Sequence, residues 1–172
     1  MQALISRTSI DHHWSTLNKE FGGLNEVLWR LHQQAAANQQ AAGQQQAAGT
    51  AEPGLASPRQ LRAVASHFDR PCLLGPLAAE QDMLAHMHAN TQLPVLSGAL
   101  SRFESTGDEV YRSLAGWFVT LLLKTRTFAT GGSSIGEYWV GANQLGELVA
   151  AGEATTQVWL PLPNMASVAP TP

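Results

Sequence analysis

The stretch "LPVLSGALSRFESTGDEVYRSLAGWFVTLLL", Leu93 to Leu123, decides the fold. Its large apolar residues recur every three or four positions on both sides of "ESTGD", which is the pattern of two helices that each bury one face. Gly107 suits the left-handed position that ends a helix, and Asp108 can cap the helix that follows. Because so short a link makes neighbouring helices antiparallel, the stretch predicts an αα-hairpin.

Helical spacing also dominates the N-terminal half of the chain. Ser57-Pro58 precedes one apolar stripe and supplies a capping hydroxyl followed by a proline that the first helical turn tolerates. No alternating strand pattern appears before residue 155, so the sequence predicts an all-α class built of helical hairpins. The two stripes in this half are Leu24, Val27, Leu28 and Leu31, and then Leu61, Val64, Ala65 and Phe68.

Bulk composition excludes several classes of protein. The chain has 172 residues, enough for one domain with a hydrophobic core, and 13 acidic against 10 basic side chains. Without a cluster of Lys and Arg, and with its longest apolar segment (Leu114 to Leu123) about half a membrane span, we expect no nucleic acid and no membrane as partner. One cysteine, Cys72, excludes an internal disulfide and a multi-cysteine metal site. No secretory signal pattern is evident, and the compartment stays unassigned.

The segment from Gln33 to Ala51 consists only of Gln, Ala, Gly, Asn and Thr. Alanine and glutamine favour a helix, but no large apolar side chain is present to dock one. Fixing each residue costs about 1–2 kcal/mol, which nothing in this composition offsets. We therefore expect a disordered insertion over about residues 33–54, with a coiled-coil or aggregation role for the glutamines as the alternative.

A first polar cluster lies in "EFGGLNEVL", residues 20–28. Its adjacent glycines, Gly22 and Gly23, each cost about 1 kcal/mol of helix propensity, which indicates that something approaches the backbone closely. Asn25 and Glu26 lie beside the apolar stripe and can hydrogen-bond a polar ligand. Close packing of a neighbouring helix is the alternative.

A second polar cluster lies in "HMHANTQLP", just before the hairpin. His86 and His88 can form a metal pair, but two histidines without a third ligand are a weak signal. His88, Asn90, Thr91 and Gln92 form a dense polar patch, which predicts a helix-start loop facing a cavity with Thr91 as its cap. A capping loop whose polar groups satisfy one another explains the spacing equally well.

A third cluster, "FATGGSSIGEYW", places Glu137 after a run of small residues and before two aromatics. The small residues let the backbone turn sharply and bring Glu137 to the end of a buried helix. Tyr138 and Trp139 supply flat walls that suit the C–H faces of a sugar and favour the protonated form of a nearby carboxyl. Such a carboxyl can act as the general acid in glycoside cleavage, and an exposed loop glutamate is the alternative.

Three blocks in order resemble the β-L-arabinofuranosidase family, glycoside hydrolase family 127. They are "EFGGLNEVLWRL", "FDRPCLLGPLAAEQDMLAHMHANTQLPVLSGALSRFESTGDEVYRSLAGWF" and "RTFATGGSSIGEYW". Together they cover most of Asn18 to Leu148 apart from the Gln/Ala segment and its flanks. The resemblance implies that the helical hairpins form part of an (α/α)6 barrel around a sugar site. It also implies a retaining enzyme that releases β-linked L-arabinofuranose from chain ends.

The resemblance also assigns roles to residues. Glu137 occupies the position of the family's acid/base in its "GE-aromatic-aromatic" motif, so it is the expected catalytic residue. His88 matches the histidine of the "HANTQ" motif, which lines the sugar subsite. Asn90 and Gln92 belong to the same motif, and with Trp139 they complete the substrate-binding residues that we expect.

The pattern breaks near the C-terminus. The family's nucleophile is a cysteine thiolate held by zinc, whose first ligands come in a Glu-Ser-Cys motif, but residues 158–160 read "VWL" here. Cys72 matches a structural loop of the family and is not expected to substitute for the nucleophile. We therefore expect no metal ligands and no cofactor in this chain, the zinc belonging to the complete family site. Residues 1–157 are expected to form a partial catalytic domain, and residues 158–172 a divergent irregular tail.

An incomplete ring has physical consequences. Helices that a full barrel covers on two sides would expose apolar surface, at about 25 cal/mol per Å2. We therefore expect marginal stability, self-association through exposed helix faces or dependence on a partner. Carbohydrate of the arabinofuranoside type is the expected ligand, with little or no hydrolase activity. The alternative is a non-catalytic helical protein that binds sugars or other partners.

Overall fold

The computed structural model describes residues 7–17, 23–45 and 56–150 as helices joined by loops. Within these ranges, strand-type pairing is limited to two isolated bridges, which join Tyr138 to His88 and to Ile135. The predicted all-α class is therefore confirmed. In chain order the helices are α1 (Ile10–Leu17), α2 (Leu24–Gln45), α3 (Pro58–Ala65) with a 3₁₀ turn (Ser66–Phe68), α4 (Pro71–Ala78), α5 (Ala89–Thr106), α6 (Glu109–Thr125) and α7 (Leu145–Ala150).

Helices α5 and α6 form the hairpin that the sequence predicts. Gly107 ends α5 in the left-handed conformation with φ 69°, which glycine adopts without a steric penalty. Asp108 is the N-cap residue of α6, and its side chain accepts a hydrogen bond of 3.2 Å from the Val110 N–H. Both apolar stripes point into the main core, which also takes in side chains of α4. The buried stripe residues are Leu93, Leu96, Leu100, Leu114, Ala115, Phe118 and Leu122.

Helix α2 packs across α5 and α3, but its buried face is one position away from the predicted stripe. Leu28 is buried as expected, whereas Val27 and Leu31 are exposed. Trp29 is buried in their place, in a second core with Leu28 and side chains of α3. Burial of the large indole removes more apolar area from water than burial of Val27 would, so it sets the rotation of the helix.

The Gln/Ala segment differs from the prediction of disorder over residues 33–45, because α2 continues through Gln45. Alanine and glutamine are good helix formers, and extending an existing helix avoids the cost of nucleation. The Gln33 side chain also donates a hydrogen bond of 3.3 Å to the Ser101 carbonyl of α5. The rest of the expected insertion, residues 46–54, lies outside the described residues.

Helix α3 begins as the sequence predicts. Ser57 and Gln60 form a capping box, each side chain bonding the other's backbone N–H, and Pro58 occupies the first turn. The predicted tail, residues 158–172, and the domain boundary at 157 lie outside the described residues. Among the helices in the described ranges, none has the length and apolar character needed to cross a membrane.

Candidate functional site

Glu137 lies at the tip of a tight turn. Ile135 and Tyr138 exchange two backbone hydrogen bonds of 3.0 Å across the turn. Its two central residues, Gly136 and Glu137, have φ values of 56° and 70°, and positive φ at both positions is what a type I′ turn requires. Glycine takes this conformation readily, but a glutamate rarely does. The candidate acid therefore occupies a strained backbone position.

The turn is docked on the segment that leads into α5. The Ala89 N–H donates to the Glu137 carbonyl at 2.8 Å, and the Trp139 N–H donates to the Met87 carbonyl at 3.0 Å. The His86 N–H donates in return to the Trp139 carbonyl at 2.7 Å. Two of the three polar clusters found in the sequence therefore lie side by side, paired through their backbones.

This pairing brings the side chains of His88, Asn90 and Glu137 together. His88 Nε2 lies 3.1 Å from Glu137 Oε2, and Asn90 Nδ2 donates to Glu137 Oε1 at 3.4 Å. His88 is the N-cap residue of α5 and Asn90 lies in its first turn, where the helix dipole favours a nearby negative charge. The Glu137 side chain is 46% exposed, so a ligand can reach the carboxyl group.

The two aromatics after Glu137 lie in different environments. Tyr138 is 50% exposed, and its ring lies edge-on to the His88 ring with centroids 4.8 Å apart. Trp139 is 0% exposed, and its indole N–H donates to Ser133 Oγ at 3.2 Å. Tyr138 is therefore the aromatic side chain accessible beside the carboxyl group, while Trp139 supports the turn from within the core. Successive side chains along extended backbone point to opposite sides, and this alternation is the sequence signal that one of the two rings is exposed and the other buried.

Gln92 is held behind the site and not in it. Its side chain is 2% exposed, with Oε1 accepting from Arg70 Nη1 at 2.6 Å and Nε2 donating to Thr91 Oγ1 at 2.8 Å. Thr91 in turn donates from its hydroxyl to the His88 carbonyl at 2.9 Å. The polar patch thus divides: His88 and Asn90 face Glu137, whereas Thr91 and Gln92 stabilise the helix start. Sequence reasoning did not identify Arg70, the buried partner of Gln92.

The described residues do not fit a zinc site. Within the described ranges, no group of three or more His, Cys, Asp or Glu side chains is arranged so that it could hold a metal ion. Cys72 is exposed, and its Sγ accepts a hydrogen bond of 3.2 Å from Arg70 Nε. A guanidinium cation at that distance opposes the approach of a divalent metal ion to the thiol.

A separate polar cluster, centred on Asp69, links α2, α5 and α6. Asn25, which the sequence suggested as a ligand-binding residue, is fully buried and donates to Asp69 Oδ1 at 3.4 Å. Asp69 Oδ2 pairs with the Arg102 guanidinium and accepts from the Tyr111 hydroxyl at 3.0 Å. Burial raises the pKa of Asp69 despite the opposing effect of Arg102, and burial with the Asp69 charge raises the pKa of Tyr111 to about 12. We interpret this cluster as structural.

A cavity of about 240 Å3 lies between α4 and α6. It includes neither His88 nor Glu137, and five of its eight lining residues are apolar, so we do not assign it to the candidate site. Its lining residues are Leu77, Ala78, Glu80, Glu109, Val110, Ser113, Leu114 and Trp117.

Most of the chain matches one protein-family model. Residues 1–159 match the family model described as "Beta-L-arabinofuranosidase, GH127 catalytic domain", and this range contains His88, Asn90 and Glu137. The comparison with curated proteins gives no match. The catalytic domain of this family is a six-hairpin barrel, to which the all-α architecture and the α5–α6 hairpin conform. Because the match spans most of the chain, the protein belongs to the β-L-arabinofuranosidase family GH127 and is glycoside hydrolase-like.

Proposed function

We propose that this chain binds a terminal β-L-arabinofuranosyl group in front of Glu137, whose carboxyl group serves as the general acid. The contact between His88 Nε2 and Glu137 Oε2, at 3.1 Å, is the observation that carries the proposal. The imidazole ring can hydrogen-bond the carboxyl group, and the carboxyl group is exposed. A general acid needs this exposure because it must reach the glycosidic oxygen of the substrate.

Each accessible side chain has a role in this proposal. Glu137 in its protonated form donates its proton to the oxygen of the departing group as the glycosidic bond breaks. His88 and Asn90 contact the two carboxyl oxygens and orient the group that carries the proton. Tyr138 offers an apolar ring edge and a hydroxyl to the sugar. Gln92 and Trp139, both buried, act behind the site and do not contact the ligand.

The other half of a retaining reaction needs a nucleophile at the anomeric carbon. In the described ranges Cys72 is the one thiol, and its contact with Arg70 and the poor fit to zinc argue against that role. We therefore propose that the described residues supply sugar binding and acid assistance, with little or no turnover. Without a nucleophile no covalent glycosyl-enzyme intermediate forms, so neither of the two steps of the retaining displacement can be completed.

Titration calorimetry with methyl β-L-arabinofuranoside tests the proposal. We expect saturable binding that weakens about tenfold in Glu137→Gln, because loss of the carboxyl group changes the partners of His88 and of the sugar. Glu147→Gln, which alters an exposed carboxylate on α7, is the matched control and should bind as the parent chain does. Absence of binding, or equal binding by both variants, would refute the proposed site.

An assay with an aryl β-L-arabinofuranoside separates binding from turnover. We expect no release of the aryl alcohol above the rate of a Glu137→Gln control. Sustained release that depends on Glu137 would support the site and contradict the proposed lack of a nucleophile.

We also propose that the chain associates with itself through exposed apolar helix faces. Val27 and Leu31 on α2, and Val110 and Leu123 on α6, are large apolar side chains exposed to solvent. Val27 and Leu31 lie one turn apart on the same face of α2, and exposed apolar patches mark contact sites between proteins. Sedimentation velocity over a range of protein concentrations should show a concentration-dependent increase in mass, which Leu123→Lys should reduce. A monomer at all concentrations would contradict this proposal.

A further inference from the structure

Arg126 makes an unusual set of contacts at the end of α6. Its side chain is 1% exposed, so the guanidinium cation is held away from water. Each of its three nitrogens donates a hydrogen bond: Nε to the Val140 carbonyl at 2.6 Å, Nη1 to Thr125 Oγ1 at 3.0 Å and Nη2 to Asp82 Oδ2 at 2.8 Å. A buried cation is stable in the fold only when it is paired and hydrogen-bonded in this way.

Two of these acceptors belong to the segments that carry the candidate site. Val140 directly follows the "GEYW" turn of Glu137, and Asp82 lies a few residues before His86 and His88. The second Asp82 oxygen, Oδ1, accepts from the Leu84 N–H at 3.2 Å and so fixes the carboxylate on its own loop. One guanidinium group therefore connects α6 to both of the loops that meet at the site.

A role confined to ending the helix does not account for these contacts. The backbone N–H of Arg126 already bonds the Leu122 carbonyl at 2.8 Å, as a helix terminus requires. The side chain reaches beyond α6 to a backbone carbonyl and a carboxylate on two separate loops. Its planar group of five N–H donors suits this task, because it can bond several acceptors in fixed directions.

We propose that Arg126 is a positioning residue that holds segments 82–89 and 135–140 in register and so fixes the separation of His88 and Glu137. The inference rests on the proposed function, since the paired side chains are those of the acid centre. Arg126 itself contacts neither of these side chains. Its effect reaches them through the three backbone hydrogen bonds between the two segments, which include Ala89 N–H to the Glu137 carbonyl.

Amide hydrogen exchange provides a test that needs no ligand. In Arg126→Met we expect the Ala89 and Trp139 amides, which bond across the two segments, to exchange about tenfold faster. The Gly107 amide, which bonds within the hairpin end, should keep its rate. Arg126→Lys should give an intermediate change, because an ammonium group keeps the charge but cannot serve all three acceptors with the same geometry.

Arg30→Met is the matched control. Arg30 is an exposed arginine that pairs with Glu26 at 2.7 Å on α2, far from these loops in the sequence, and its replacement should leave all of these amides unchanged. Equal acceleration of the Gly107, Ala89 and Trp139 amides in the Arg126 variants would overturn the proposal, because it would indicate a loss of overall stability alone. If circular dichroism shows Arg126→Met to be unfolded, Arg126→Lys and Asp82→Asn decide the same comparison.

A second readout follows the acid centre itself. The side-chain nitrogen signals of His88 should shift when Glu137→Gln is introduced, because the ring loses a carboxylate neighbour. In the Arg126→Lys background we expect this response to fall by about half, as coupled residues do in a double-mutant cycle. An undiminished response would overturn the positioning role. Failure of the proposed function would give a different result. The parent chain would not bind the sugar, while the Arg126 variants would still show the expected pattern of amide exchange.

Discussion

His88 Nε2 and Glu137 Oε2 lie 3.1 Å apart although 49 positions separate the two residues in the sequence. The contact follows from backbone geometry: a type I′ turn carries Glu137, and its carbonyl accepts the Ala89 N–H next to His88. The side chains are therefore placed by two short segments and not by a long helix. Small changes in the backbone of either segment should alter the site directly.

Glu137→Gly should show that the acid occupies a strained position. Its φ of 70° costs about 1–2 kcal/mol for a residue with a Cβ, whereas the two hydrogen bonds lost with the side chain contribute about 0.5–1.5 kcal/mol each. We expect the free energy of unfolding to stay within about 1 kcal/mol of the parent value while sugar binding weakens. Urea denaturation measures the first quantity and calorimetry the second.

Glu80→Gly is the control for this strain. Glu80 has a φ of 54° in the turn that ends α4, where its N–H bonds the Leu77 carbonyl and the next N–H bonds the Pro76 carbonyl, a Schellman motif. Glycine at this position should stabilise the fold by about 1 kcal/mol and leave sugar binding unchanged. A large loss of stability in either variant would contradict the assignment of strain.

Gly136→Ala tests the other central residue of the turn. Gly136 has a φ of 56°, and a Cβ built on it would meet no atom within 4 Å, so the whole cost is conformational. We expect a loss of about 1 kcal/mol. Gly43→Ala in α2, also with no atom within 4 Å but with helical backbone, should instead gain about 0.5–1 kcal/mol. Thermal unfolding of the two variants should move the midpoint in opposite directions, and equal shifts would contradict the turn geometry.

Asn90→Ala and Gln92→Ala should separate binding from stability. Asn90 is exposed and bonds the Glu137 carboxyl group, so its loss should weaken sugar binding with little effect on unfolding. Gln92 is buried and bonds Arg70, so its removal should cost about 1–3 kcal/mol of stability and leave binding by the folded chain unchanged. Calorimetry and urea denaturation on both variants check the contrast, and weaker binding by folded Gln92→Ala would instead place Gln92 at the ligand.

The sequence predicts those features that depend on local interactions. Gly107 and Asp108 define the hairpin because a left-handed residue and a capping carboxylate act on their immediate neighbours. Asn90 and Gln92, by contrast, are both polar residues of one motif, and only the packing of α5 determines which of them faces solvent. Periodicity likewise cannot choose between the Val27 and Trp29 faces of α2, because both give apolar spacing and tertiary contacts select one.

The same limit applies to the prediction of a close backbone approach at Gly23. A Cβ there would meet no atom within 4 Å, whereas a Cβ on Gly98 would lie 2.6 Å from Asn25 Cγ. Gly98→Ala should therefore force α2 and α5 apart and cost about 1–3 kcal/mol. Adding Asn25→Ala should recover part of that loss, because the smaller side chain removes the clash. Equilibrium unfolding of the single and double variants measures the coupling, and strict additivity would contradict this contact.

The pH dependence of stability should report on Asp69. Burial raises its pKa above the ordinary 3.8, since desolvation outweighs the attraction of Arg102. The folded chain then binds this proton more tightly than the unfolded chain does. Its contribution to stability is fully present below pH 3.8 and is lost as the pH rises through the raised folded-state pKa.

Asp69→Asn isolates this contribution, because an amide does not titrate. Over the interval above pH 3.8, the parent chain's free energy of unfolding should fall relative to that of Asp69→Asn, by at most about 1.4 kcal/mol per pH unit. Urea denaturation of both proteins in matched buffers gives the difference at each pH. A difference that increases with pH would mean that the Arg102 ion pair, and not burial, governs the carboxyl group.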